Sequence, residues 1–194
     1  MNANIAMKFV FVGNTGAGKT SLILYYLLHV FPLEYIPSVI KNVIIETSQN
    51  NAPILIDLCE APCSRSDDSI KRSVYYDKAT CFLICFSLIN LDHFHSVQNV
   101  WVPEIRKSDP HTPIILVGTK TDMKYINQYK DIDYISTKDV LNFAKQIEAC
   151  NYFEISTLNY LNVDSLFNAA KNNSFKFLSE ERRRRKESTN NTQK

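Results

Sequence analysis

"KFVFVGNTGAGKTSLILYYLLHV", residues 8–30, fixes the reading of the whole chain. A β-rich apolar run, 8–12, ends at Gly13, and a run of helical length, 19–30, is stopped by Phe31 and Pro32. Between them "GNTGAGKT" (13–20) fits G-x-x-x-x-G-K-[ST] in its confirming context, strand before and helix after. Backbone N–H groups of such a loop approach phosphate oxygens, and the helix N-terminus adds positive potential. Lys19 would reach the terminal phosphates, with Thr20 offering a hydroxyl to Mg²⁺. Gly13, Asn14, Thr15, Gly16, Ala17, Gly18 and Ser21 complete the candidate loop. The chain holds only four glycines, and three lie here, where average usage predicts about fourteen in all. Glycine has been kept where backbone freedom serves an anion.

Outward from the loop, strand-like and helix-like runs alternate. Strands are expected at 42–47, 52–58, 79–87, 112–118 and 152–156, with turn formers Ser48 to Asn51 making a hairpin of the first two. Helices are expected at 67–77, 92–107, 136–149 and 162–178. Continuous apolar strands alternating with helices predict an α/β fold, a mostly parallel six-stranded sheet covered on both faces. Ligands of such sheets bind beyond the carboxyl ends of the strands. Gly13, Asp57, Thr119 and Ser156 are therefore expected on one rim.

"VGTKTD" (117–122) and "EIST" (154–157) supply a base pocket. Asp122 can accept two hydrogen bonds from guanine's N1–H and N2–H₂ edge, a donor pair adenine lacks. The stem of Lys120 can cover the purine, while Ser156 and the Thr157 N–H face the guanine carbonyl.

With these segments in order, the chain resembles the small GTPases of the Ras superfamily, in the Rho and Rac branch. "FPLEYIPSV" (31–39), "FLICFSL" (82–88), "WVPEI" (101–105) and "TPIILVGTKTD" (112–122) carry the likeness, which covers roughly 6–178. It implies the P-loop small G-protein fold with five helices, binding GTP or GDP with Mg²⁺. It further implies that Phe31 flanks the guanine, Tyr35 covers the phosphates, and Ser38, standing for a threonine, joins Thr20 and Asp57 at the metal.

"ILIDLCEAP" (54–62) departs from that family, which reads Asp-Thr-Ala-Gly-Gln. Matching its aspartate to Asp57 sets Glu60 at the pivoting glycine and Ala61 at the glutamine that orients the attacking water. Pro62 stiffens the segment, and Thr15 adds bulk where the family has a second loop glycine. These changes predict slow or absent GTP hydrolysis. An ordinary cycling switch and a nucleotide-free interaction scaffold are the alternative readings. Residues 31–45 and 57–77 would face effectors and exchange factors. There Lys41 reverses an acid, and Ile40 and Val43 replace aromatics, which argues against the usual Rac-type kinase effectors. Ile56 replaces a tryptophan, which leaves the choice of exchange factor open. The resemblance points downstream to the actin cytoskeleton.

Charge is placed unevenly. From Glu180 onward six Lys or Arg face three Glu, so this segment carries +3 of a total of +2 and leaves −1 for residues 1–179. The body is no nucleic-acid binder by charge. Residues 1–178 are expected to form the G domain and 179–194 a basic, disordered tail. Arg182, Arg183, Arg184, Arg185 and Lys186 could dwell weakly on an anionic leaflet. With no Cys-a-a-X box, secretory signal or membrane-length run, a cytoplasmic monomer is expected, peripheral at most to the inner face of the plasma membrane. Zinc is disfavoured at Cys81 and Cys85, because four strand residues separate them by roughly 13 Å. The four histidines form no recognisable site. Residues 123–135, where Rho proteins carry an inserted helix, are assigned no role.

Overall fold

The computed structural model describes residues 5–31, 42–49, 52–63, 69–125 and 134–192. The readings at Tyr35, Ser38, Ile40 and Lys41 lie outside them. Six strands form one sheet in the order β2-β3-β1-β4-β5-β6, from β1 (Ile5–Val12), β2 (Val43–Gln49), β3 (Ala52–Glu60), β4 (Cys81–Ser87), β5 (Ile114–Thr119) and β6 (Asn151–Glu154). Only the β2–β3 pair is antiparallel, the hairpin that the turn formers predict. The other four pairings are parallel. β4 and β5 are buried at every residue, as strands covered on both faces must be.

Helices α1 (Lys19–Leu28) and α6 (Val163–Thr192) cover one face. Phe9 and Phe11 of β1 meet Phe167 of α6 at ring distances of 6.5 and 6.1 Å, and Tyr26 of α1 stacks on the same ring at 3.5 Å. The other core gathers Val10, Val12, Phe82, Ile84 and Phe86. It lies under α2 (Ser69–Tyr76), α3 (Leu91–Ser96), α4 (Val102–Ser108) and α5 (Thr137–Gln146). Burying each large side chain in these two layers is worth about 1.5–3 kcal/mol before chain entropy is charged against it. Cys85 sits fully buried in β4, where desolvation pushes its thiol up to about 12.

Three of the differences from expectation are more than a shift at an element's end. The helix expected at 92–107 is α3 and α4 joined through a π-helical turn, Val97–Trp101, so among the described residues six α-helices stand where five are implied. Helix α6 continues to Thr192 through the expected disordered tail. Glu181 with Arg184 and Arg185, and Arg183 with Glu187, are helix-spaced pairs that favour this extension, each worth a few tenths of a kcal/mol. Finally, β3 runs past Leu58 to Glu60, and the Ala61 N–H donates to the Phe11 carbonyl at 3.0 Å. Small, apolar Cys59 and Ala61 are both buried against the sheet's second core at this end of the strand.

Candidate functional site

Gly13, Gly16 and Gly18 hold φ of 137°, 78° and 86°, the left-handed side of the map. At Gly13 a Cβ would stand 2.1 Å from the Cys85 carbonyl oxygen, so only glycine passes there. Gly18 caps α1 at its N-terminus, and the Thr119 hydroxyl fastens the loop to β5 by donating to the Ala17 carbonyl at 2.8 Å. The buried Lys19 ammonium donates to the carbonyls of Gly13 at 3.0 Å and Asn14 at 3.1 Å. Thr15, Gly16, Lys19, Thr20, Glu60 and Cys63 line a cavity of about 300 Å³ over the loop.

A second cavity, of about 250 Å³, adjoins it and shares Gly18, Ser21 and Lys120. Phe31, Asp122 and Thr157 also line it, with Met123 and Leu158, two apolar contributors that the motifs did not single out. The two loops that build it are stitched together, since Thr121 N–H and Oγ1–H both donate to the Ile155 carbonyl, at 3.1 and 2.6 Å. Buried Ser156 does not stand free for a base. Its hydroxyl donates to Asp122 Oδ1 at 2.6 Å and accepts from the Asn159 N–H at 3.0 Å. Ser156 therefore aims the carboxylate. Ser156→Ala is expected to weaken guanine-nucleotide affinity about tenfold by releasing that aim, measured by equilibrium binding of a fluorescent GDP.

Asp57 is not where the sequence reading puts it. Alternation along β3 sends Ile54, Ile56 and Leu58 to the face covered by α1, and Glu60 follows them. Asp57, like Cys59, points to the opposite face. It pairs with Lys8, whereas Glu60 pairs with Phe11, about 10 Å nearer the loop. Its Oδ2 accepts from Asn42 Nδ2 at 3.2 Å, and neither cavity includes it. Glu60 instead closes the cradle. Its two carboxylate oxygens accept from the Thr20 hydroxyl at 2.9 and 3.0 Å, and one lies 3.8 Å from Lys19 Nζ.

The physical register is therefore three residues later than the apolar run suggests. Glu60 takes the place beside Thr20 that the resemblance gives to Asp57; counted on from it, Cys63 would stand at the family's glycine and Ser64 at its glutamine. Ala61 is a buried strand-end residue, not a water-positioning one. Cys63 does reach the cradle, its Sγ accepting from Lys19 Nζ at 3.3 Å. A hydroxyl and a carboxylate in hydrogen-bond contact form the hard oxygen set that Mg²⁺ prefers, so Thr20 and Glu60 would hold that ion and it would neutralise phosphate charge there. Among the described residues no cluster of three or more His, Cys, Asp or Glu could hold a metal alone, which leaves phosphate oxygens and water to complete the shell.

Asn14 is the loop residue whose part was hardest to foresee. Its side chain turns to the helical layer, accepting from Trp101 Nε1–H at 2.7 Å and donating to Ser96 Oγ at 2.9 Å. "WVPEI" carries the tryptophan but gives no hint of the partner 87 positions away.

The Ras family model matches residues 8–176. The chain is a small GTPase of the Ras family, in its Rho branch. Among Rho-related relatives it is 30% identical over 173 residues to the Rho-related GTP-binding protein RhoV of Homo sapiens, 86% of this chain and 73% of that one. It is 31% identical over 175 residues to the Ras-like GTP-binding protein RhoL of Drosophila melanogaster, 88% of this chain and 90% of that protein. It is also 35% identical over 162 residues to the Rho-related protein racN of Dictyostelium discoideum, 83% and 72% respectively. Membership of the Rho branch implies guanine-nucleotide binding. No helix among the described residues is long and apolar enough to cross a membrane.

Proposed function

We propose that this Rho-branch protein binds GTP with Mg²⁺, hydrolyses it slowly or not at all, and signals to the cytoskeleton through effectors. One observation carries the reading: the phosphate loop and base pocket are assembled, while the segment leaving β3 presents Glu60 and Cys63 to the cradle. The binding parts are kept and the pivot is replaced. The nucleotide would lie with its base between Phe31 and Asp122, its phosphates over Lys19 and Thr20, and Ser38 as a further metal ligand. Tyr35 would close over the phosphates.

Residues 31–45 and 57–77 would meet effectors and an exchange factor, and apolar Ile44 on β2 and Val74 on α2 stand 69% and 72% exposed there. Arg182–Lys186 would give weak, salt-sensitive contact with an anionic leaflet, placing a cytoplasmic monomer at the inner membrane face. The nucleotide released when purified protein is denatured tests the whole. Bound GTP is the expected result. GDP would favour an ordinary cycling switch, and a protein free of nucleotide would favour a pure interaction scaffold.

A further inference from the structure

Asn14 joins the phosphate loop to the helical layer, and the geometry there is unusual. In an α-helix each residue turns the direction by about 100°, so residues five apart point about 140° away from each other. Ser96 and Trp101 are five apart, yet both bond the Asn14 side chain. The π-helical turn Val97–Trp101 lies between them. Its wider i→i+5 closure brings the two onto one side. Such turns are rare and are frequent at functional sites.

The hydrogen bonds run in one consistent direction. Indole N–H can only donate, so it fixes the Asn14 amide oxygen towards Trp101. The amide NH₂ then faces Ser96 Oγ, and the Ser96 hydroxyl donates on to the Asp92 carbonyl at 2.8 Å. With its side chain held from both ends, Asn14 presents its backbone carbonyl to Lys19 Nζ at 3.1 Å and to the Ala17 N–H at 3.1 Å. The other end of the chain reaches α2. The Arg72 guanidinium lies 5.2 Å from the Trp101 ring centre and forks onto Glu104 at 2.9 and 2.6 Å.

We infer that Trp101 and Ser96, brought together by the π-helical turn, are positioning residues for the phosphate loop: they set Asn14, and through it Lys19, so that the grip on the outer phosphates answers to the seat of α2. The inference rests on the reading that the site holds a guanine nucleotide. It concerns the phosphates, not the base.

The test is the ratio of GDP to GMP affinity, by fluorescence competition, for wild type, Asn14→Ala, Trp101→Phe and the double variant. Loss of the held Asn14 is expected to lower this ratio about tenfold, one hydrogen bond's worth. The double variant should match the single ones, because both break the same link. Ser96→Ala, a smaller change, should move the ratio in the same direction and keeps the test valid where Trp101→Phe folds poorly. A merely structural role would lower the melting temperature and weaken GDP and GMP alike; an unchanged ratio therefore overturns the inference while leaving the functional reading in place. Additive losses overturn the shared link. A wild-type protein that binds neither GDP nor GMP overturns the functional reading, and this inference with it.

Discussion

GTP-loaded protein mixed with a Rho-type activating protein is expected to show no acceleration of hydrolysis, a shortfall of up to about 10⁵ against a fully equipped family member. Phosphoryl transfer in this class relies on positioning a water and neutralising charge, with little covalent work for the protein. On the proposed function three positions would withdraw that help. Counted along the sequence from Glu60, Ser64 takes the glutamine's place, a short side chain for a long amide. Cys63 places a thiol against Lys19, at 3.3 Å, where a glycine would lend a bare backbone. Thr15 lines the phosphate cavity with a branched side chain, in the way of an incoming arginine. Single-turnover assays of the triple variant Thr15→Gly, Cys63→Gly, Ser64→Gln should recover at least about a hundredfold of the stimulated rate. Ala61→Gln should recover none, since that residue is buried at the end of β3. A wild-type rate matching an ordinary Rho protein would remove the case for a locked state.

The contrast between those variants shows where the sequence was legible. The loop Gly13–Thr20 could be read because strand, glycines, lysine and helix are contiguous, so local chemistry alone defines them. Lys120 and Asp122 line the second cavity, as their place directly after β5 leads one to expect. The switch carboxylate could not. Two acids, Asp57 and Glu60, follow the same apolar run, and choosing between them needs the face each takes on β3. Face depends on register against β1, a contact between residues some fifty positions apart. The sequence favours Asp57 by residue type, and the pleat decides for Glu60. The π-helical turn was hidden likewise: "HSVQNVWVPEI" has ordinary helical content, and the partner its side chains meet, Asn14, is remote in sequence. In α6 the basic run looked like a solvated tail because charge runs usually are. The spacing of Glu181 and Glu187 from their arginines was the signal for helix, and it was outweighed by composition.

Arg72→Ala is expected to destabilise the fold by about 3–5 kcal/mol, read from the chemical-denaturation midpoint. Arg72 is 2% exposed and its partner Glu104 14%. The guanidinium donates twice to that carboxylate, and the Tyr76 hydroxyl donates to it at 2.6 Å. The cost of truncation is chiefly that of leaving Glu104 charged and without its cation inside the α2–α4 interface. Glu104 also supplies a check on the cause. Burial alone would raise its pKa, but the hydrogen bonds from Arg72 and Tyr76 and the guanidinium charge outweigh that and hold it below the usual 4.5. A depressed carboxylate adds stability that is present above the unfolded value and lost as pH falls through the folded one. Wild type should therefore weaken as pH drops below about 4.5. In the variant Glu104 takes up a proton readily, which relieves its unpaired charge, so the gap between the two proteins should narrow over the same range. A gap independent of pH would assign the loss to packing against the Trp101 ring, not to the ion pair. Arg72→Met, which keeps an apolar stem without the charge, separates the two: it should retain the narrowing and recover part of the stability.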